Sequence, residues 1–345
     1  MSLDGPRGAR PDEVPAVVEL ADAIFGGGSN NMGPSFPTLF SAENSTWLRT
    51  FWEGSVPVAH VGIWRGAVWT GGHRLTVAHV GAVGTLPERR RQGLAGALLS
   101  DVLPRLRDDG VAVLFISGDR SLYRRLGARP FGHLSRYRVP VAALTGEAGS
   151  RTEPPSGFAA LAGLYAAEPL HYERSLADWA CLLPAKGYLP AREQSALCVW
   201  DPRGGPGPAA YLLLGRPRRP KVAGDGPVVL PVDEFAGDRH AVLAGLATAL
   251  DAVGADAAEL IVQPGDARMH RLLRDRGLPA EPCGHQGIAR VLNFAAAASA
   301  LRRPAPSPLG PLGDPAEAAA AGAWTESLFG RGGVELPRND GLNYI

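Results

Sequence analysis

Residues Leu86–Leu99 read LPERRRQGLAGALL, and three consecutive arginines stand directly before Gln92-Gly93 and an apolar run. Leu94, Ala97, Leu98, Val102 and Leu106 fall on one side of a helix that ends at Asp108-Asp109-Gly110. Upstream, Leu75–Thr85 is rich in β-formers; downstream, Val111–Ser117 (VAVLFIS) is the continuous apolar run expected of a strand covered on both faces. GDRSLYRRLG then reads as a short helix closed by Gly127. Strand, glycine loop, helix, strand and helix make an α/β crossover, so the expected fold class is α/β with a mixed sheet. Where a strand turns into a helix, the first backbone N–H groups lack internal partners and point outward with the positive end of the dipole. Gly93 allows a phosphate close to the backbone, Ala95 and Gly96 keep the first turn slim, and the arginines raise the local positive potential.

The rest of the composition asks for that local explanation. The 345 residues suffice for about two domains, with 45% hydrophobic residues, 20% charged and a formal net charge of +1. Such balance argues against a general nucleic-acid or membrane-surface binder, and against reading the arginines as a nucleic-acid patch. Glycine (44) and proline (31) sit between apolar segments and mark turns. Cys181, Cys198 and Cys283 are too scattered for metal ligation, and their odd number suits reduced thiols. The N-terminus lacks the apolar core of a signal peptide, and no segment approaches the roughly 18 unbroken apolar residues of a membrane span. The expectation is a cytoplasmic protein with no metal, no nucleic-acid partner and no membrane partner.

Within the first half, Pro11–Phe25 is spaced as one face of a helix and stops at Gly26-Gly27-Gly28. A second amphipathic stretch is expected over Ala42–Trp52. Strands are expected over Val56–Trp64, Ala67–Thr70 and Leu75–Thr85, broken at Gly66 and Gly71-Gly72.

Val83-Gly84-Thr85-Leu86-Pro87 followed by Arg90-x-x-Gly93-x-Ala95 resembles the pyrophosphate-binding motif of the GNAT superfamily of acetyl-CoA-dependent N-acetyltransferases. Tyr123-Arg-Arg-Leu-Gly127, about 30 residues on, is similar to that family's tyrosine four residues before a glycine. The resemblance covers most of residues 10 to 140. It implies that backbone near Val83, Gly84 and Thr85 holds the pantetheine arm as a neighbouring strand would. It also implies that Arg90, Arg91, Gln92, Gly93, Leu94, Ala95 and Gly96 take the pyrophosphate. Amine attack on the thioester expels a thiolate, and the phenol of Tyr123 is the candidate proton donor. The rival reading is a non-catalytic, acyl-CoA-binding regulatory or scaffold protein.

Val139–Gly157 has the composition of a linker, and beyond it the pattern returns. Val242–Val253 is helical, Ala258–Gln263 reads as a strand, and PGDARMHRLLRDRG mirrors GDRSLYRRLG. Leu94-Ala-Gly and Leu243-Ala-Gly lie about 150 residues apart and suggest an internal repeat. With those triplets aligned, Val242 stands for Gly93, and counting back four from Gly277 reaches Leu273 where the first copy has Tyr123, so one copy is expected to be catalytic and the other structural. The expected organisation is a catalytic domain over 1–140, a linker over 141–157, a degenerate GNAT-like domain over 158–294, and a connector with a docking tail over 295–345. A functional copy followed by a degenerate one resembles the enhanced-intracellular-survival type of acetyltransferase, which acts on aminoglycosides or lysine side chains. Only about 50 residues follow Phe294, too few for that type's sterol-carrier-like domain, and mycothiol synthase also pairs two GNAT units.

The partners expected are a small-molecule or lysine amine and, from the same resemblance, a second copy of the chain. The proton acceptor stays open among His73, His79, a water chain and the carboxylate of Ile345, which in the resembled type reaches the first domain's active site. AWTESLFG and GLNYI are too apolar for a free tail and are expected to dock. Phe36, Phe40, Trp47 and Trp52 are either pocket walls or core, and Glu43 and Glu53 are candidates for attracting a cationic amine.

Overall fold

The computed structural model describes residues 3–26, 31–147, 150–185, 196–201, 204–219, 226–285, 287–304, 312 and 314–338. It falls into two compact units, residues 1–132 with 285–345, and residues 133–284.

The first unit opens with β1 (Asp4–Gly8), α1 (Val14–Phe25) and a single turn α2 (Met32–Ser35). Next come β2 (Leu48–Glu53), β3 (Val56–Thr70), β4 (His73–Thr85), α3 (Leu94–Asp108), β5 (Val113–Ile116) and α4 (Ser121–Arg125). The expected helix over Ala42–Trp52 is instead one 3-10 turn followed by β2. Leu48 and Trp52 pack on the α1 side of the sheet and Phe51 on the α3 side, so a strand buried on both faces imitates helical spacing. β3 runs unbroken through Gly66, because a Cβ there would stand 2.2 Å from the Trp64 ring; the glycine makes room for the indole. The break does occur at Gly71-Gly72, whose φ angles of +53° and +79° suit a two-residue hairpin turn.

The second unit contains β6 (Leu134–Pro140), β7 (Thr152–Glu153), α5 (Phe158–Ala166), β8 (Leu170–Tyr172), α6 (Leu176–Ala185) and β9 (Ala196–Val199). It continues with β10 (Ala210–Leu214), β11 (Val229–Gly237), α7 (Arg239–Val253), β12 (Ala257–Val262), α8 (Ala267–Asp275) and β13 (Glu281–Cys283). The chain then returns to the first unit as β14 (Ile288–Val291), α9 (Phe294–Ala300) and α10 (Pro315–Phe329).

The first sheet has the order β1-β2-β3-β4-β5-β14, and the second β13-β6-β12-β11-β10-β9-β7. Each contains one parallel pair, β4 with β5 and β11 with β12. The units therefore depart from the expected limits of 140 and 158–294. β6 belongs to the second sheet, antiparallel to β12, and the first sheet is closed by β14, antiparallel to β5. In the first unit α3 packs on one face over Leu98, Val102 and Leu106, while α1 covers the other with Val17 and Ala21. α10 carries AWTESLFG: Phe329 is fully buried, and Gly132 N–H donates to its carbonyl at 2.6 Å, while GLNYI lies outside the described residues.

Candidate functional site

In the first unit the β4–β5 pairing runs from Val77/Val113 to Val80/Ile116 and stops, with Ser117 N–H donating to the Val80 carbonyl at 3.3 Å as the last link. β4 continues to Thr85, where only β3 pairs with it among the described residues. Its register on β3 gains one residue between Gly81 and Gly84, and Ala82 there has φ +50°. Such a bulge bends the strand and splays it from its neighbour. Val83, Gly84 and Thr85 thus present a strand edge free on the β5 side, which an extended chain can pair with.

Beyond Thr85 the turn brings the chain into α3. Arg91 and Gly93 have φ of +64° and +77°, and no side chain caps the helix. A left-handed arginine costs roughly 1–2 kcal/mol, and such strain collects at ligand sites. A Cβ placed on Gly93 or Gly96 would meet nothing within 4 Å, so the helix start opens on free space. Uncapped N–H groups above that space, at the positive end of a helix of 15 residues, form an anion cradle. The three arginines have separate tasks. Arg89 pairs with Glu53, Arg90 Nε donates to the Thr85 carbonyl at 3.2 Å, and Arg91 is exposed. Arg89 is therefore neutralised, and Glu53 is engaged rather than held for an amine.

Tyr123 lies on α4, buried, with its Cε2 3.8 Å from the position of a Cβ on Gly118, just past the end of the β4–β5 pairing. Burial raises its pKa against the opposing charge of Arg120, so the phenol is protonated at neutral pH. Gly127 has a separate duty: with φ +82°, its missing Cβ leaves room for the Ala318 carbonyl, 2.2 Å from where that atom would stand.

The other candidates divide. His73 begins β4, roughly 40 Å of strand from Thr85. His79 is buried between Trp64 and Phe115, and burial pushes its pKa down to about 3. Ile345 lies outside the described residues. Trp52 is 1% exposed and Phe40 is buried, both in the core below α1. Trp47 carries the Arg65 guanidinium 4.1 Å above its ring. Sequence reasoning missed the bulge at Ala82 and the left-handed Arg91; the signal for the former was the Gly81/Gly84 pair flanking it.

In the second unit β11 also outruns its parallel partner, past Val232/Leu260, and slips register between Glu234 and Val232. Its cradle is filled by the chain itself. Asp238 caps α7, accepting from the His240 and Ala241 N–H groups at 2.9 and 3.1 Å. Glu168 accepts from Gly237 N–H at 2.8 Å and from both terminal nitrogens of Arg239, whose Nε reaches Asp266 at 2.8 Å. Asp238, at the helix cap, is the counterpart of Gly93; the triplet alignment that chose Val242 is one helical turn out of step. Leu273 is fully buried.

The family model described as acetyltransferase (GNAT) domain matches residues 6–131. Among solved structures, a GCN5-related N-acetyltransferase from Anabaena variabilis is 17% identical, covering 87% of this chain and 74% of that one at TM-score 0.65. A probable N-acyltransferase from Enterococcus faecalis is 15% identical, covering 87% and 75% at TM-score 0.66. Eis1 from Mycobacterium abscessus is 17% identical, covering 87% and 76% at TM-score 0.58. Among the curated proteins none matches the chain. At such identities the likeness to the solved structures is one of fold. The family match and the splayed, cradle-bearing sheet put an acetyltransferase domain of the GNAT superfamily in the first unit, and the chain is an acyltransferase. It has the tandem form of that fold, two GNAT-like domains of which the second is degenerate. Among the described residues no three His, Cys, Asp or Glu side chains are grouped to hold a metal ion, and no helix is long and apolar enough to cross a membrane.

Proposed function

We propose that the first unit transfers the acetyl group of acetyl-CoA directly to an amine, and that the second unit is structural. The observation that carries this reading is the junction at Val80 and Ser117. A strand edge free beyond that junction, an uncapped helix start after Thr85 and a protonated phenol beside Gly118 support it. Val83, Gly84 and Thr85 would hold the pantetheine arm, and the N–H groups from Arg91 to Gly96 the pyrophosphate. The amine nitrogen forms a bond to the thioester carbon, the carbon–sulfur bond breaks, and Tyr123 gives the departing sulfur a proton. The nitrogen loses one proton, which restores the phenol, so the products are an amide and a free thiol.

In the second unit, Glu168 and Asp238 occupy the donors that a diphosphate would need. Calorimetric titration of the intact chain with acetyl-CoA, followed by thiol detection over an amine panel, tests the proposal. One site per chain and thiol release with an amine support it. Binding without thiol release supports a regulatory acyl-CoA-binding protein, and absence of binding overturns both readings.

A further inference from the structure

The face of the motif strand under α1 is apolar. Phe25 ends α1 and is 44% exposed, one of few large hydrophobic residues so placed among the described residues. A Cβ on Gly84 would lie 2.5 Å from Ile24 Cδ1 and 3.4 Å from Phe25 Cε2, so the last turn of α1 rests directly on the motif strand. Met32, Phe36 and Ala82, the residue of the bulge, are partly buried against the same core cluster below α1.

Charge is already spoken for on this side. Asp22 accepts from the Asn31 and Met32 N–H groups at 3.0 and 2.9 Å. His60, opposite Gly84 in the β3–β4 register, is buried, and burial holds its pKa down at about 3 against the Arg49 backbone; it is neutral. A polycation brought here would shed water and find the Asp22 carboxylate engaged. An amine bearing an apolar group meets an exposed aromatic face instead.

We propose that the acceptor is a primary amine carrying an aromatic group one or two carbons from nitrogen, with that group seated on Phe25. This rests on the acetyltransferase reading above. The same surroundings disfavour the ammonium form, so the amine reacts as its free base. The C–N bond forms, the C–S bond breaks, and the nitrogen's surplus proton replaces the one Tyr123 gives to sulfur.

The test is thiol release by the intact chain with acetyl-CoA and three probes: 2-phenylethylamine, ethylamine and spermine. We expect kcat/KM for 2-phenylethylamine to exceed both others by about tenfold or more. Phe25→Ala should cut the phenylethylamine-to-ethylamine ratio by about tenfold, mainly through KM, and Phe25→Trp should keep it. An acetyl-CoA titration of each variant reports that the fold and cofactor site are intact. Preference for spermine or ethylamine, or an unchanged ratio in Phe25→Ala, overturns this inference and leaves the acetyltransferase reading standing. Bound acetyl-CoA with no thiol from any probe or from a wider amine panel overturns that reading as well.

Discussion

Gly93 and Gly110 flank the same helix in the same conformation, with φ of +77° and +78°, and a Cβ on either would meet nothing within 4 Å. Replacing either with alanine therefore carries only the left-handed penalty of about 1–2 kcal/mol. For a unit of this size that lowers the melting temperature by roughly 2–4 °C per kcal/mol. Only Gly93 faces the cradle, so only Gly93→Ala interferes with acetyl-CoA. If one charge-assisted N–H contact is lost, at about 1.5–3 kcal/mol, affinity falls by roughly 10- to 150-fold. With ligand at about 100 times the wild-type Kd, stabilisation by acetyl-CoA is about 2.7 kcal/mol, and it drops to roughly 0.3–1.4 kcal/mol in Gly93→Ala. Thermal melts with and without acetyl-CoA read both quantities. Gly110→Ala should melt lower yet keep the full ligand shift. Equal ligand shifts in the two variants would refute the cradle.

Tyr123→Phe removes the phenol without changing the ring; acetyl-CoA affinity should hold while turnover falls by about 10²- to 10⁴-fold, and undiminished turnover would sink the acid role. His60 and His79 are held neutral in the folded first unit, with pKa values pushed down to about 3. The unfolded chain takes up protons below about pH 6.5 while the folded unit does not, so stability is lost as pH falls. Each histidine withdraws about 1.4 kcal/mol per pH unit, roughly 4 kcal/mol for the pair between pH 6.5 and 5. Urea midpoints that match at pH 7 and pH 5 would contradict this. Glu168→Ala leaves Arg239 with Asp266 as its remaining carboxylate and should destabilise the second unit by roughly 3 kcal/mol, without adding a second acetyl-CoA site by calorimetry.

What the sequence shows plainly is whatever short-range chemistry decides. Arg90, Gly93 and the apolar run after them specify a strand, a turn and a helix within about 30 residues, and each choice agrees with its neighbours. Gly66 misleads because a glycine that seats an indole has the same letter as one that turns a chain. The triplets Leu94-Ala-Gly and Leu243-Ala-Gly misalign the copies because letters, not caps, were matched; α7 begins at Asp238 because its carboxylate takes two N–H groups. Glu53 looked available because its partner Arg89 is 36 residues away. The fate of β6 and β14 was hidden for the same reason: strand partners far apart in sequence leave no local trace.

That exchange of strands has a physical cause, and it can be tested. β5 is buried on both faces, and β14 matches it, with Ile288, Ala289 and Val291 at most 1% exposed. Arg290, between them, is fully buried and pairs with Glu317 of α10. β6 has a different pattern: Tyr137 and Val139 are buried, while Arg136 and Arg138 on the alternate face are exposed. Were the first half to close on itself by pairing β6 with β5, two arginines would enter a covered face with no Glu317 to meet them, a cost of several kcal/mol each. A fragment of residues 1–140 should therefore fail to fold, leaving the apolar β5 edge open to aggregation. Adding residues 285–345 in trans, which restores β14 and α10, should recover solubility and acetyl-CoA binding. A soluble, monomeric 1–140 fragment that binds acetyl-CoA unaided would mean that β6 can close the first sheet, and that the burial pattern of β14 is not what directs the chain.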